Sequence, residues 1–311
     1  MNLVQNSVKY IDLVQPGRKI EYAGRVCYKS QDKISDSSYE KFISNIIKSG
    51  HLSVTEHEYK MFEIPSSLYE AKYEKFFKYR KYFNITFNEK KDAVFISGDL
   101  RAWIDLLCAS EPVDECLDEF TDFLSRDYPY IFKSNDASKY SKIKYNIEAE
   151  QDCNDMDKHK IYTFEIVGSR SFTHEIVRHR TLSFSQESQR YINYSLDKFN
   201  HTINFIIPEF DLGITDSDNA KRELYCKTYI ESFKESEKTY FDLLDKGLKP
   251  ELARQVLPSA VASTIVVSGT KANWKHFLNL RMDSHAQREI RDIANNIADY
   301  LKLTKEDVKY D

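Results

Sequence analysis

The chain has 311 residues, 41% of them hydrophobic and 30% charged, with a formal net charge of -4. That hydrophobic content supplies a core for one large domain or two ordinary ones and excludes a disordered chain. The acidic balance argues against a general nucleic-acid binder, whose domain is normally strongly basic, and no apolar run reaches the length of a membrane span.

The N-terminus, Met1-Asn2-Leu3-Val4-Gln5-Asn6, lacks the basic and apolar regions of a signal peptide. Five scattered cysteines (Cys27, Cys108, Cys116, Cys153, Cys226), with no CxxC, read as reduced thiols of a cytoplasmic protein. Tyr39, Phe42, Ile43, Ile46 and Ile47 fall at helical spacing and predict a helix over 38–48, capped by Gly50. A loop with His51, Ser53, Glu56 and His57 follows, then a strand over 59–64 ended by Pro65. In 73–82 aromatics interleave with cations. This predicts an amphipathic helix with ordinary aromatic packing, although such interleaving also serves single-stranded nucleic acid. Residues 94–103 and 265–274 echo one another, with a Ser-Gly pair and a Trp at the same offset, and 166–172 is a looser third copy. Each reads as an apolar strand, a tight Ser-Gly turn and a helix, hence an α/β or α+β architecture. A long amphipathic helix is expected over 223–244, ended by Gly247. Pro250 then starts a short helix over 251–257, and residues 272–303 are mostly helical by pattern.

The chemistry concentrates in Arg178-His179-Arg180 and, after seven residues, Ser188-Gln189-Arg190-Tyr191. Guanidiniums make forked contacts with phosphate oxygens, and Ser185, Gln186, Ser188 and Gln189 add neutral donors beside them. Such a surface suits an anionic ligand with planar groups, as a nucleotide is. Rival chemistries are weaker. His174-Glu175-Ile176-Val177 begins like a zinc-peptidase helix, but Arg178 stands where the second His is needed; His51 and His57 flank Glu56 without a third ligand, so no metal is expected. Ser188 has no nucleophile elbow, and no cysteine has an evident activating environment. Phosphate-cradling glycine loops are absent, so a nucleotide would be held by side chains. Arg178, Arg180, Arg190, Arg254 and Arg281 are the candidates, each with the solvated-surface reading beside it.

The Arg178-His179-Arg180 to Ser188 pattern resembles the signature of the flavin-dependent thymidylate synthases. Residues 50–57, 168–175, 254–258 and 279–287 resemble that family's other blocks, in the same order. The resemblance covers roughly 20–64 and 161–305, within a single 1–311 domain carrying an insertion at about 66–160. The fold expected is α/β (α+β), a central, mainly antiparallel sheet flanked by helices with a long helical C-terminal part. The resemblance implies that Ser53, Arg178, His179, Arg180, Gln186, Thr270, Lys271, Ala272 and His276 contact FAD. It assigns dUMP to Glu175, Ile176, Val177, Arg178, Gln186, Glu187, Ser188, Gln189, Arg190, Arg254 and Arg281. Arg281 would sit against the uracil ring and favour its N3-deprotonated form, and His51 would line the folate and flavin side. It further implies 5,10-methylenetetrahydrofolate and NADPH as co-substrates, no enzyme nucleophile, no metal, and a homotetramer whose sites are shared between chains. The rival readings are a noncatalytic nucleotide- or RNA-binding protein and a family member whose insertion blocks the folate site.

Overall fold

In the computed structural model, which describes residues 1–108, 117–132, 143–145, 154–210 and 215–309, two short strands come first, β1 (Asn2–Leu3) and β2 (Ser7–Tyr10). Ile20, Ala23 and Val26 share one face of α1 (Arg18–Cys27), and all three are buried. Helix α2 (Ser38–Lys48) has the predicted bounds, and Gly50 beyond it takes a φ of 72°. A 3₁₀ turn, Leu52–His57, leads into β3 (Tyr59–Pro65), followed by the single helical turn α3 (Ser66–Leu68), β4 (Asn84–Asn88) and β5 (Ala93–Asp99). Then come α4 (Leu100–Leu107), α5 (Asp118–Asp127) and β6 (Lys144–Tyr145). After a second 3₁₀ turn, Asn154–Lys158, the chain runs through β7 (Ile161–Ser169), α6 (Arg170–Ile176), β8 (Ser183–Gln186) and β9 (Asn204–Phe205). The C-terminal part holds α7 (Asp216–Asp245), α8 (Pro250–Ala253), β10 (Ala262–Thr270), α9 (Lys271–Arg281), α10 (Arg288–Leu301) and α11 (Lys305–Val308).

The expected antiparallel pairing and the helical C-terminal part are both present. The strands form two four-stranded antiparallel sheets, ordered β4-β5-β3-β6 and β2-β7-β10-β8, with β1 and β9 paired in parallel apart from them. Each sheet has its own core: Phe62, Trp103 and Phe120 lead the first, Phe164, Trp274 and Phe277 the second. Helix α7 presses Phe233 and Tyr240 onto a smaller cluster with Phe205 and Tyr194. Among the described residues no helix is long and apolar enough to cross a membrane.

Three expectations need correction. The Ser-Gly pairs are not turns. Ser97-Gly98 and Ser268-Gly269 lie inside β5 and β10, and the helix starts directly after the strand. Asp99, Ser169 and Thr270 make this abrupt change possible, since each side chain caps the helix that follows by accepting an N–H from three residues on. Glycine is required at Gly98 by close packing, because a Cβ there would come within 2.5 Å of the Phe83 ring, and Leu182 crowds Gly269 in the same manner. Residues 73–82 are also not an α-helix. Residues 73–79 fall in a π-helical turn, Tyr69–Tyr73, and a 3₁₀ turn, Glu74–Tyr79, and 80–82 in the turn that follows, while Tyr73 and Phe76 enter the first core as aromatic packing predicted. Finally, the short helix expected over 251–257 is α8 followed by a 3₁₀ turn, Arg254–Val256. Of the cysteines, Cys27, Cys108 and Cys226 are free, and Cys116 and Cys153 lie outside the described residues.

Candidate active site

The signature occupies the connection from α6 into β8, and the strand pairing fixes its direction. Gln186 is opposite Ile265 and Ser185 opposite Val266, so successive side chains leave β8 on opposite faces. The Ser185 hydroxyl meets His57 Nε2 at 2.9 Å, and His57 Nδ1 lies 2.8 Å from the Ser268 hydroxyl. The Gln186 amide turns to α6 and donates to the hydroxyls of Thr173 (2.8 Å) and Ser263 (3.1 Å). His57 is fully buried, and burial, reinforced by Lys19, pushes its pKa down to about 3. A neutral, doubly bonded ring inside the protein is a tether between elements. His174 is exposed, and among the described residues no three His, Cys, Asp or Glu are grouped to hold a metal ion.

Beside this tether lies a cavity of 200 Å³ lined by His51, Ser53, Gln186, Ser188 and Tyr191, with Gly24 and Cys27 of α1 and Tyr28 just beyond it on the facing side. The exposed rings of Tyr28 and Tyr191 pair at 5.3 Å. The Ser188 backbone N–H donates to the Cys27 carbonyl at 3.0 Å, which holds the loop against α1 and leaves the hydroxyl available to a ligand. Burial pushes the Cys27 thiol upward, so it stays protonated and is a poor nucleophile. Gln189 is buried, and its Nε2 has no hydrogen-bond partner within the protein. An unspent donor inside a polar loop fits a ligand that brings its own acceptors.

The second constellation joins α6 to α9. Arg281 donates through Nε to His179 Nε2 (2.9 Å) and through a terminal nitrogen to Glu175 Oε2 (2.9 Å). Burial, then the charges of Arg281, His276 and Arg178, push the His179 pKa down to about 4. The neutral ring accepts from Arg281 at Nε2, so its proton sits on Nδ1. His276 stands 6.4 Å from His179, ring to ring, and Phe277 packs against the same imidazole at 4.9 Å. Arg178 and Arg180 are exposed beside this corner. The result is a guanidinium clamped in a fixed orientation by a carboxylate and a neutral imidazole, with Arg178 and Arg180 beside it, an arrangement that stabilises negative charge developing on a planar ligand.

Other sequence candidates are differently placed. Ile176 is fully buried in the second core, and Glu187 is 1% exposed, its carboxylate accepting from Tyr194 (2.7 Å) and the Thr264 N–H (3.2 Å) and pairing with Lys29 (3.1 Å). Both side chains are therefore committed to the fold. Thr270 is buried as the α9 cap, Lys271 pairs with Asp157 at 3.3 Å, and Ala272 is half-buried in the same first turn. Arg190 is exposed over Tyr191, 3.8 Å from Glu251; the Arg254 Nε donates to the Glu251 carbonyl, and Val177 is exposed. Arg170 was not singled out by sequence. It lies near Arg254 and Glu187; burial pushes its guanidinium down while the Glu187 carboxylate opposes that shift. The α1 residues lining the cavity were also missed, although Ile20, Ala23 and Val26 carry a helical spacing that signals them. A larger cavity of 410 Å³ lies between residues 3–6 and 206–209, but among the described residues its charged lining groups are Glu209 and Glu289, which repel an anion.

A sequence model of the family described as "Thymidylate synthase complementing protein" matches residues 9–71 and 135–304, most of the chain, and leaves 72–134 unmatched. The protein is 42% identical over 138 residues to a flavin-dependent thymidylate synthase of Pyrococcus abyssi, covering 44% of this chain and 52% of that one. It is 35% identical over 158 residues to a flavin-dependent thymidylate synthase of Corynebacterium diphtheriae, covering 47% and 58%. The matched part thus spans about half the length of these curated relatives. A solved UMP/dUMP methylase, PolB from Streptomyces cacaoi, aligns over 97% of this chain and 93% of its own with a TM-score of 0.44 and 17% identity, a likeness too distant to carry an argument.

Proposed function

This chain belongs to the thymidylate synthase complementing protein family, and on that premise we propose that it methylates dUMP reductively to dTMP, using FAD, 5,10-methylenetetrahydrofolate as one-carbon donor and NADPH as reductant. The observation that carries this reading is the Glu175–Arg281–His179 cluster beside exposed Arg178 and Arg180. FAD, when bound, would supply the hydride relay between NADPH and the transferred carbon. The residues present suit it: Arg178 and Arg180 offer forked cations for a diphosphate, Ser53 and Gln189 offer neutral donors, and the Gln186 carboxamide oxygen an acceptor.

Within the proposal, Arg281 holds the uracil ring. Its guanidinium, oriented by His179 and Glu175, stabilises the N3-deprotonated form and so raises electron density at C5, the carbon that is methylated. Neutral His179 anchors Arg281 without a competing charge. Ser188, Arg190 and Arg254 take the phosphate, for which a hydroxyl and two guanidiniums are matched partners. No enzyme nucleophile is used, which agrees with a protonated Cys27 and with a Ser188 that has no base beside it in the hydrogen-bond network. A homotetramer with shared sites is part of the same proposal, supported by the exposure of Ser53, Arg178 and Arg180 in the single chain. A cytoplasmic setting is supported by the unpaired Cys27, Cys108 and Cys226. Purified protein should be yellow, with a flavin band that bleaches on adding NADPH. A colourless protein that also fails to take up FAD overturns the reading.

A further inference from the structure

The two sheets repeat one another. Read from one edge, β4-β5-β3-β6 and β8-β10-β7-β2 have the same arrangement. In each, a long strand pairs with a second long strand that runs straight into a helix, and the registers agree: Met61 lies opposite Ser97 as Thr163 lies opposite Ser268. The first helical N–H of α4, on Leu100, donates to the Glu58 carbonyl at 2.8 Å, and that of α9, on Lys271, donates to the Lys160 carbonyl at 2.7 Å. Gly98 is crowded by Phe83 just before β4, and Gly269 by Leu182 just before β8. Trp103 and Trp274 are both fully buried at the same distance past these glycines.

The copies also grip each other reciprocally. His57, two residues before β3, reaches Ser185 on β8 and Ser268 on β10. His159, two residues before β7, reaches Thr86 on β4 (2.9 Å) and Ser97 on β5 (2.8 Å). Thr86 and Ser185 occupy matching register positions, as do Ser97 and Ser268. Two buried histidines thus cross one seam in opposite directions, the relation a two-fold axis generates.

The ligand chemistry is not repeated. Counting from the matched Phe83 and Leu182, the first copy has Tyr79-Arg80-Lys81 where the second has Arg178-His179-Arg180, and Phe87 where the second has Gln186. Counting from the tryptophans, Asp105 stands at the place of His276, and its carboxylate is bound by Arg101 at 2.7 Å. Phe87 is 54% exposed. An aromatic ring and a carboxylate therefore face solvent where the working corner offers an amide and an imidazole. The cavity at the seam draws on both copies, taking Ser53 from the turn ahead of β3, with His51 just before that turn, and Gln186 and Ser188 from the other side.

We propose that the segment from the turn at Leu52–His57 through α4 is an internal copy of the unit running from the turn at Asn154–Lys158 through α9. It acts as a built-in pseudo-subunit that contributes one wall of the ligand site at the seam and has lost the equivalent site of its own. Each chain then holds one flavin and one nucleotide, with the first copy lending a wall to the second. This rests on the flavin and dUMP reading given above. The test is equilibrium dialysis of the full chain against FAD and, separately, dUMP, with Gln186→Phe and Phe87→Gln measured alongside. One of each ligand per chain is expected. Gln186→Phe should weaken dUMP binding at least about ten-fold, because it fills the seam cavity and removes the two hydrogen bonds to Thr173 and Ser263 that fix this wall. Phe87→Gln should leave both affinity and stoichiometry unchanged. Two ligands per chain, or equal losses in the two variants, overturns the asymmetry while leaving the proposed reaction standing. Absence of binding by either ligand defeats the functional reading and this assignment together.

Discussion

Replacing His57 by asparagine removes a titration that the fold suppresses. The ring is fully buried between Ser185 and Ser268, and its pKa lies at about 3, against 6.5 for a free histidine. Above pH 6.5 neither the folded nor the unfolded state protonates it, and its full stabilising contribution is present. Between 6.5 and about 3 only the unfolded chain takes up the proton, so stability is lost as pH falls through that window. Each pH unit corresponds to about 1.4 kcal/mol, and the two units from 6.5 to 4.5 therefore cost about 3 kcal/mol. Urea unfolding at pH 7.5 and pH 4.5, on wild type and His57→Asn, isolates this contribution, because other titrating groups are common to both. The variant should be less stable at pH 7.5, by about 1–3 kcal/mol for the two compromised hydrogen bonds. It should then lose about 3 kcal/mol less than wild type on acidification. Equal acid losses would refute the tether, since they would mean that His57 protonates freely in the folded state.

The remaining predictions concern the site and the strand–helix junctions. Arg281→Ala should lower dTMP formation at least about 100-fold, the scale of one lost oxyanion-type donor. Its melting temperature should barely move, because the Arg281–Glu175 pair is partly exposed (20% and 30%) and such pairs are worth about 1 kcal/mol or less. Retained turnover would remove Arg281 from the chemistry. Ser188→Ala should weaken dUMP binding about ten-fold through one charge-assisted hydrogen bond and leave kcat nearly intact. Complete loss of turnover at unchanged affinity would instead make Ser188 a nucleophile. Gly98→Ala places a Cβ within 2.5 Å of the Phe83 ring and should cost about 1–3 kcal/mol in a denaturant titration, as overpacking does. An unchanged midpoint would show that Phe83 can move aside.

The elements legible in the sequence were those whose signal is local. Helix α2 has its predicted bounds because five apolar residues share one face and Gly50 ends it. Pro65 closes β3 within a residue of the expectation. The Ser-Gly pairs misled because glycine serves two physical ends, positive backbone angles in turns and close approach in strands, and only the three-dimensional neighbour separates them. The Phe83 ring, fifteen positions before Gly98 in the sequence, is that neighbour. The site was legible in part for a related reason. Arg178, His179 and Ser188 fall within eleven residues of one another, and their residue types state their chemistry. The clamp on Arg281, the burial of Ile176 and the commitment of Glu187 to Lys29 and Tyr194 depend on long-range packing that no short window contains. The reciprocal contacts of His57 and His159 across the seam were invisible for the same reason, even though the echo between 94–103 and 265–274 was a trace of the repeat.

In the proposed reaction this cluster of side chains methylates dUMP through a flavin. Anaerobic incubation of the purified chain with FAD, NADPH, 5,10-methylenetetrahydrofolate and dUMP, with nucleotides separated by chromatography, tests it most directly. dTMP should form, should disappear when any one of dUMP, NADPH or the folate is withheld, and should not be made by Arg281→Ala. Absence of dTMP from flavin-loaded protein with all substrates present would contradict the proposed reaction.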